Sequence, residues 1–192
     1  TEPIADAGTG GRVCVTTLAT DGFAMDATLS YGTGTWTNQT PGVGTATFTP
    51  NANDPDATVT VSALGTYTFR WTEVNGSCDD YDEVTVVFDP NPTPGITGNN
   101  TPVGGSTEVY ITNDVSGNSY VWTTDVGTVV DPLISSNIKE VIWDASGTGY
   151  LNVKETIDAT GCWLDDQITI DIQPVALQGT ITYHNSSNTP MN

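Results

Sequence analysis

Basic residues are almost missing from this chain. Lys and Arg together number 4, against 23 Asp and Glu, for a formal net charge of −19 over 192 residues. Binding to nucleic acid needs cations that displace counterions from phosphate, so the composition predicts no nucleic-acid partner. Adsorption to an anionic membrane surface is excluded for the same reason. No apolar run approaches the roughly 20 residues of a membrane helix, and no membrane insertion is predicted. With a single His and four cationic side chains, little material remains for acid–base or phosphoryl chemistry, and no enzyme is predicted. No Gly-x-Ser-x-Gly, His-Glu-x-x-His or phosphate-cradling glycine loop occurs. His184 stands alone and reads as a surface-loop residue.

Apolar residues make up 36% of the chain and recur in regular alternation, which argues for a folded protein despite the charge. In Gly65-Thr-Tyr-Thr-Phe-Arg-Trp-Thr72 the side chains of Tyr67, Phe69 and Trp71 share one face and the Thr and Arg side chains the other. Thr58–Val61, Val84–Phe88 and Ile168–Ile172 repeat the pattern. Asn53-Asp54-Pro55, Asn75-Gly76 and Gly147-Thr-Gly149 between them are turn chemistry. No helical stripe of useful length exists, so the chain is predicted all-β.

The landmarks repeat. Gly34-Thr-Trp36, Gly65-x-Tyr67, Gly76-Ser-Cys78-Asp-Asp80 and the Val84 strand align with Ser119-Tyr-Val-Trp122, Gly149-Tyr150, Gly161-Cys162 with Asp165-Asp166, and the Ile168 strand. The offsets are 122 − 36 = 86 for the tryptophans and 162 − 78 = 84 for the cysteines. This predicts two tandem antiparallel β-sandwiches of Ig type, residues 1–90 and 91–174. A short, stiff linker, Asp89-Pro-Asn-Pro-Thr-Pro94, joins them. Residues 175–192 read as the opening strand of a third, truncated β-module, whose Leu177, Ile181 and Tyr183 need an apolar partner outside it.

The first module, with Ala5-Asp-Ala-Gly8, Cys14, Gly65-x-Tyr-x-Phe-x-Trp-Thr72 and Gly76-x-Cys78 before Glu83-Val-Thr-Val86, resembles PKD-like and related bacterial Ig-like domains. The second, with Tyr120-x-Trp122, Ile142-Trp143 and Gly161-Cys162, is similar to the PKD-like repeats of Bacteroidota surface proteins. Gly179-Thr-Ile-Thr-Tyr-His-Asn185 with Thr189-Pro190 resembles the start of another module of such proteins. The resemblance implies a large, secreted, multi-module protein at the cell surface, often an adhesin or stalk. The second module departs from the first in lacking a match for Cys14, where Val103-Gly104-Gly105 stands.

That extracellular setting favours a disulfide between Cys14, on the first apolar strand, and Cys78, before the last strand of the same module. The alternative is two buried free thiols. Cys162 is then left over as a small buried hydrophobe. The acidic residues Asp6, Asp79, Asp80 and Asp82 form a candidate calcium site, if the Asp79–Asp82 turn meets Asp6. The competing reading is a solvated anionic turn that caps backbone amides, with no cofactor at all. Trp36, Trp71 and Trp122 fall at core positions, whereas Trp143 and Trp163 are the candidates for exposed sugar-stacking platforms, with core or interface packing the favoured reading for both. The leading functional expectation is a non-catalytic spacer or display segment of a surface adhesin, stalk or filament. Its partners are the neighbouring modules of a longer chain, with other copies in a fibre or surface glycans as further candidates. The alternative is an accessory carbohydrate-binding region of a secreted polysaccharide-degrading enzyme.

Overall fold

The computed structural model describes residues 1–130 and 136–176. The expected third-module strand lies almost wholly outside the described residues, as does His184. Every regular element among the described residues is a β-strand.

The first module holds β1 (Gly11–Val15), β2 (Phe23–Ala24), β3 (Thr33–Asn38), β4 (Ala46–Thr49), β5 (Thr58–Val61), β6 (Gly65–Asn75) and β7 (Cys78–Pro90). One sheet has the order β1-β7-β6-β3 and the other β2-β5-β4. The second module holds β8 (Thr107–Ile111), β9 (Asn118–Thr124), β10 (Thr128–Val130), β11 (Ile138–Ile142), β12 (Gly147–Ile157) and β13 (Trp163–Ile172). Its sheets run β13-β12-β9 and β10-β11-β8. Apart from β1, whose place in the second module is taken by the single Val103–Gln173 bridge, the plans match, β3 with β9, β6 with β12 and β7 with β13. Both are Ig-like sandwiches, and each closes on its own core.

Alternation explains the cores. On β6, Tyr67, Phe69, Trp71 and Glu73 point inward and are fully buried, while their neighbours face outward. Trp36 lies opposite Trp71 across β3 and β6, with ring centroids 5.2 Å apart. Gly34 makes room for that pair, because a Cβ there would stand 1.8 Å from the Trp71 ring. In the second module Tyr110, Trp122, Val141, Trp143, Leu151, Val153 and Ile170 fill the corresponding space. Trp143 is therefore core, not a platform: it is 1% exposed and its Nε1 donates to Tyr110 Oη at 3.1 Å.

Register refines the repeat. Gly65 pairs with Phe88 and Gly147 with Ile172, so the counterpart of Gly65 is Gly147 and not Gly149. The offset along β6 and β12 is 147 − 65 = 82, and along β7 and β13 it is 172 − 88 = 84. The difference is the longer turn of the second hairpin.

Candidate functional site: a stapled joint between modules

Cys14 is bonded to Cys162 of the second module, with Cα atoms 5.5 Å apart. This corrects the expected Cys14–Cys78 bridge. β1 runs parallel to β7 and places Cys14 opposite Asp89, eleven residues along the strand from Cys78. At about 3.3 Å per residue that separation is roughly 36 Å, far beyond the reach of any disulfide. Cys78 is instead a free, exposed thiol at the opposite end of the module. Cys162 is wholly buried, as expected, but as half of a bridge.

The joint is built from both sides. β7 continues through Pro90, which pairs with Val15, so Asp89-Pro90 is strand rather than linker. Asn91 then donates its backbone N–H to Val15 O at 3.0 Å and its side-chain amide to Thr16 Oγ1 at 2.7 Å. On the far side, Gly95 N–H donates to Thr112 Oγ1 and Ile96 N–H to Asp166 Oδ2, at 3.2 and 2.8 Å. Thr97 bridges to Ile111. Only Pro92-Thr93-Pro94 runs without such an anchor, and two of those three residues have a fixed φ. Cys162 closes the β12–β13 hairpin, its carbonyl accepting from Ile157 N–H at 2.8 Å. Beside the bridge lies a cavity of about 260 Å³ lined by Val15, Leu18, Leu64, Pro90, Pro92 and Leu164, side chains from both modules. The Arg12–Asp89 ion pair covers the β1–β7 edge next to Cys14.

The residues of the predicted calcium site do not converge. Asp79, Asp80 and Asp82 lie on β7 and not in a turn, so alternation sends Asp79 to the exposed face and Asp80 and Asp82 to the other. Asp80 Oδ2 accepts from Ala5 N–H and Asp82 Oδ2 from Ala7 N–H, both at 2.9 Å. Asp6 Oδ1 accepts from Gly8 N–H at 2.9 Å. Their carboxylates cap backbone amides and pin the incoming N-terminal segment to the last strand. Among the described residues no three His, Cys, Asp or Glu side chains form a metal-holding group. Asp82 and Asp166 are equivalents, 166 − 82 = 84, and do the same work in each module.

A second equivalent pair escaped the sequence reading. Glu73 and Glu155, 155 − 73 = 82, are 0% and 1% exposed on the inward faces of β6 and β12. Glu73 accepts from Ser30 N–H and Oγ–H, Tyr31 N–H and Trp71 Nε1–H. Burial pushes its carboxyl up, and these donors more than offset that, leaving it below its ordinary value of 4.5. Glu155 has Asn118 Nδ2–H at 2.6 Å and Tyr120 Oη at 3.4 Å on one oxygen, and the other oxygen is buried without a partner. The inward alternation of β6 and β12, carried on from Trp71 and Val153, is the signal that would have located both. Trp163 is half exposed, with Lys154 Nζ 4.0 Å over its ring.

No family model matches this chain, and no curated protein matches it. Solved structures overlay on most of its length at low identity. The fibronectin(III)-like modules of Clostridium thermocellum CbhA give a TM-score of 0.39 at 13% identity, covering 95% of this chain and 100% of theirs. Extracellular domains 3–5 of Drosophila OTK give 0.47 at 11%, covering 90% and 62%. A SusE-like surface-located polysaccharide-binding protein of Bacteroides thetaiotaomicron gives 0.39 at 10%, covering 90% and 34%. Likeness at this level concerns the β-sandwich alone, so function has to be read from this chain's own geometry.

Proposed function

We propose that the chain is a non-catalytic extracellular spacer, two Ig-like modules held at a fixed mutual orientation within a multidomain surface protein of the adhesin, stalk or filament type. The observation that carries this reading is the Cys14–Cys162 bridge across the joint. The linker alone already keeps the modules close, at an effective concentration on the order of millimolar, so a bridge adds little to their association. What it adds is orientation, because a hinge pinned at the linker and again at Cys162 loses its bending freedom. A permanent disulfide also fits an oxidising, extracellular compartment. The one-signed surface keeps neighbouring molecules apart. The carbohydrate-binding alternative calls for a pair of exposed aromatic platforms. Four of the five tryptophans are buried, and Lys154 covers the fifth, which favours the spacer.

Small-angle X-ray scattering on the full chain in a Cys78→Ser background tests this. The oxidised protein is expected to fit one conformation, whereas reduction or Cys162→Ser broadens the distribution of inter-module distances. An equally broad distribution with the bridge intact would defeat the spacer reading.

A further inference from the structure

We propose that Cys78 is the receiving half of a second inter-module staple. It bonds to the first-strand cysteine of a β-sandwich module seated on the β6–β7 hairpin, as Cys162 bonds to Cys14. The inference rests on the spacer reading and extends it from one joint to a series.

The two cysteines hold the same place. Cys78 pairs with Asn75 to close the β6–β7 hairpin, and Cys162 faces Ile157 to close the β12–β13 hairpin. Four positions after each stands the aspartate that fixes the incoming segment, Asp82 on Ala7 and Asp166 on Ile96. Six positions before Ile96 is Pro90, where the preceding module's last strand ends beside Val15, next to Cys14. Six positions before Ala7 is Thr1. Its carbonyl accepts from Asn75 Nδ2–H at 2.7 Å, against the residue paired with Cys78. A module whose last strand ended at Thr1 would thus arrive at Cys78 as the first module arrives at Cys162. The bonded cysteine is fully buried and the free one exposed, the difference a seated module makes.

The partner's chemistry follows. It needs a cysteine on its first strand opposite the end of its last. The second module lacks one: Val103 bridges to Gln173 as Cys14 pairs with Asp89, so Val103 occupies the cysteine's position. The geometry therefore selects a module of the first type, placed on the N-terminal side of Thr1. In forming the bond each thiol gives up a proton and an electron. The electron pair reduces a small-molecule or protein disulfide to two thiols.

The test extends the full chain at its N-terminus with a second copy of residues 1–90 carrying Cys78→Ser, joined directly to Glu2 so that the added Pro90 takes the place of Thr1. After refolding in a glutathione redox buffer, peptide mapping without reduction should link the added copy's Cys14 to Cys78 and leave Cys14–Cys162 intact. Maleimide labelling of Cys78 should fall about tenfold relative to the parent chain and return when the added copy carries Cys14→Ser. Full labelling of Cys78 in the fusion, with Cys14–Cys162 intact and the added core protected from amide exchange, overturns the proposal and leaves the spacer reading untouched. If the added module does not fold, residues 1–174 carrying Cys78→Ser and Val103→Cys take its place, joined to Glu2. The expected bond is then between the substituted position 103 and Cys78, and its absence is equally decisive. Loose scattering from a fully bridged protein would instead count against the spacer reading alone.

Discussion

In the first module β1 runs beside β7 over five residues and carries Cys14; in the second, the same contact shrinks to one bridge, Val103 to Gln173. The first core is aromatic, with the Trp36–Trp71 pair linked through Phe48 to Phe69, Tyr67 and Phe88 in a chain of ring contacts, and the second is filled mainly by Val, Leu and Ile around Tyr110, Trp122 and Trp143. The first buries a glutamate with a full set of donors, the second a glutamate with a bare oxygen. One strand plan tolerates both fillings, because alternation fixes which side chains turn inward and leaves their volume to be shared. The ends are less free. Each hairpin carries a cysteine, and four positions later each last strand carries an aspartate that holds the segment entering its own module, Asp82 on Ala7 and Asp166 on Ile96.

The largest expected effect probes whether the modules are separate cooperative units. Trp71→Ala removes a fully buried ring and should cost about 3–5 kcal/mol in the first module. Amide exchange should then rise across β3, β6 and β7 while β9, β12 and β13 keep their protection. Parallel loss in both would merge them into one unit.

The glutamates should separate next. Glu73→Gln weakens a charge-assisted cluster of four donors and should destabilise the first module by about 2 kcal/mol. Glu155→Gln removes a buried charge with an unpaired oxygen and should leave the second module unchanged or more stable. Because the folded Glu73 carboxyl lies below its ordinary 4.5, its stabilisation is complete above that value and fades as pH falls through the folded value. The melting gap between wild type and Glu73→Gln should close accordingly on acidification. A gap that widened in acid would reverse the assigned direction.

The smallest effects concern the clamps. Asp82→Ala and Asp166→Ala should each cost about 1 kcal/mol, the net scale of a single hydrogen bond at a partly exposed site. Only Asp166→Ala should also broaden the inter-module distances, because Ile96 anchors the linker's far end to the second module. Equal scattering from both variants would remove Asp166 from the joint.

Much of this was legible in the sequence. Thr-Tyr-Thr-Phe-Arg-Trp-Thr states a half-buried strand by itself, because period-two alternation is a local consequence of extended backbone. The repeat, the strand positions of Trp36 and Trp122 and the empty place at Val103 were local too. The same alternation, carried from Val84 back to Cys78, would have put Asp79 and Asp80 on opposite faces of a strand. A run of polar residues hid that strand, since its outer end covers an incoming segment rather than a hydrophobic core.

What only the tertiary structure decided is where distant ends meet. Cys14 could be matched with Cys78 on paper because both belong to one module, but the parallel β1–β7 register sends them to opposite ends of it. The bridge to Cys162, the exposure of Trp163 against the burial of Trp143 and the clamping roles of Asp82 and Asp166 depend likewise on which strand ends and modules pack together. The sequence determined the strands, their inward faces and the duplication, because each follows from residues a few positions apart. The joint is made by residues up to 148 positions apart in the chain, and no local periodicity records that proximity.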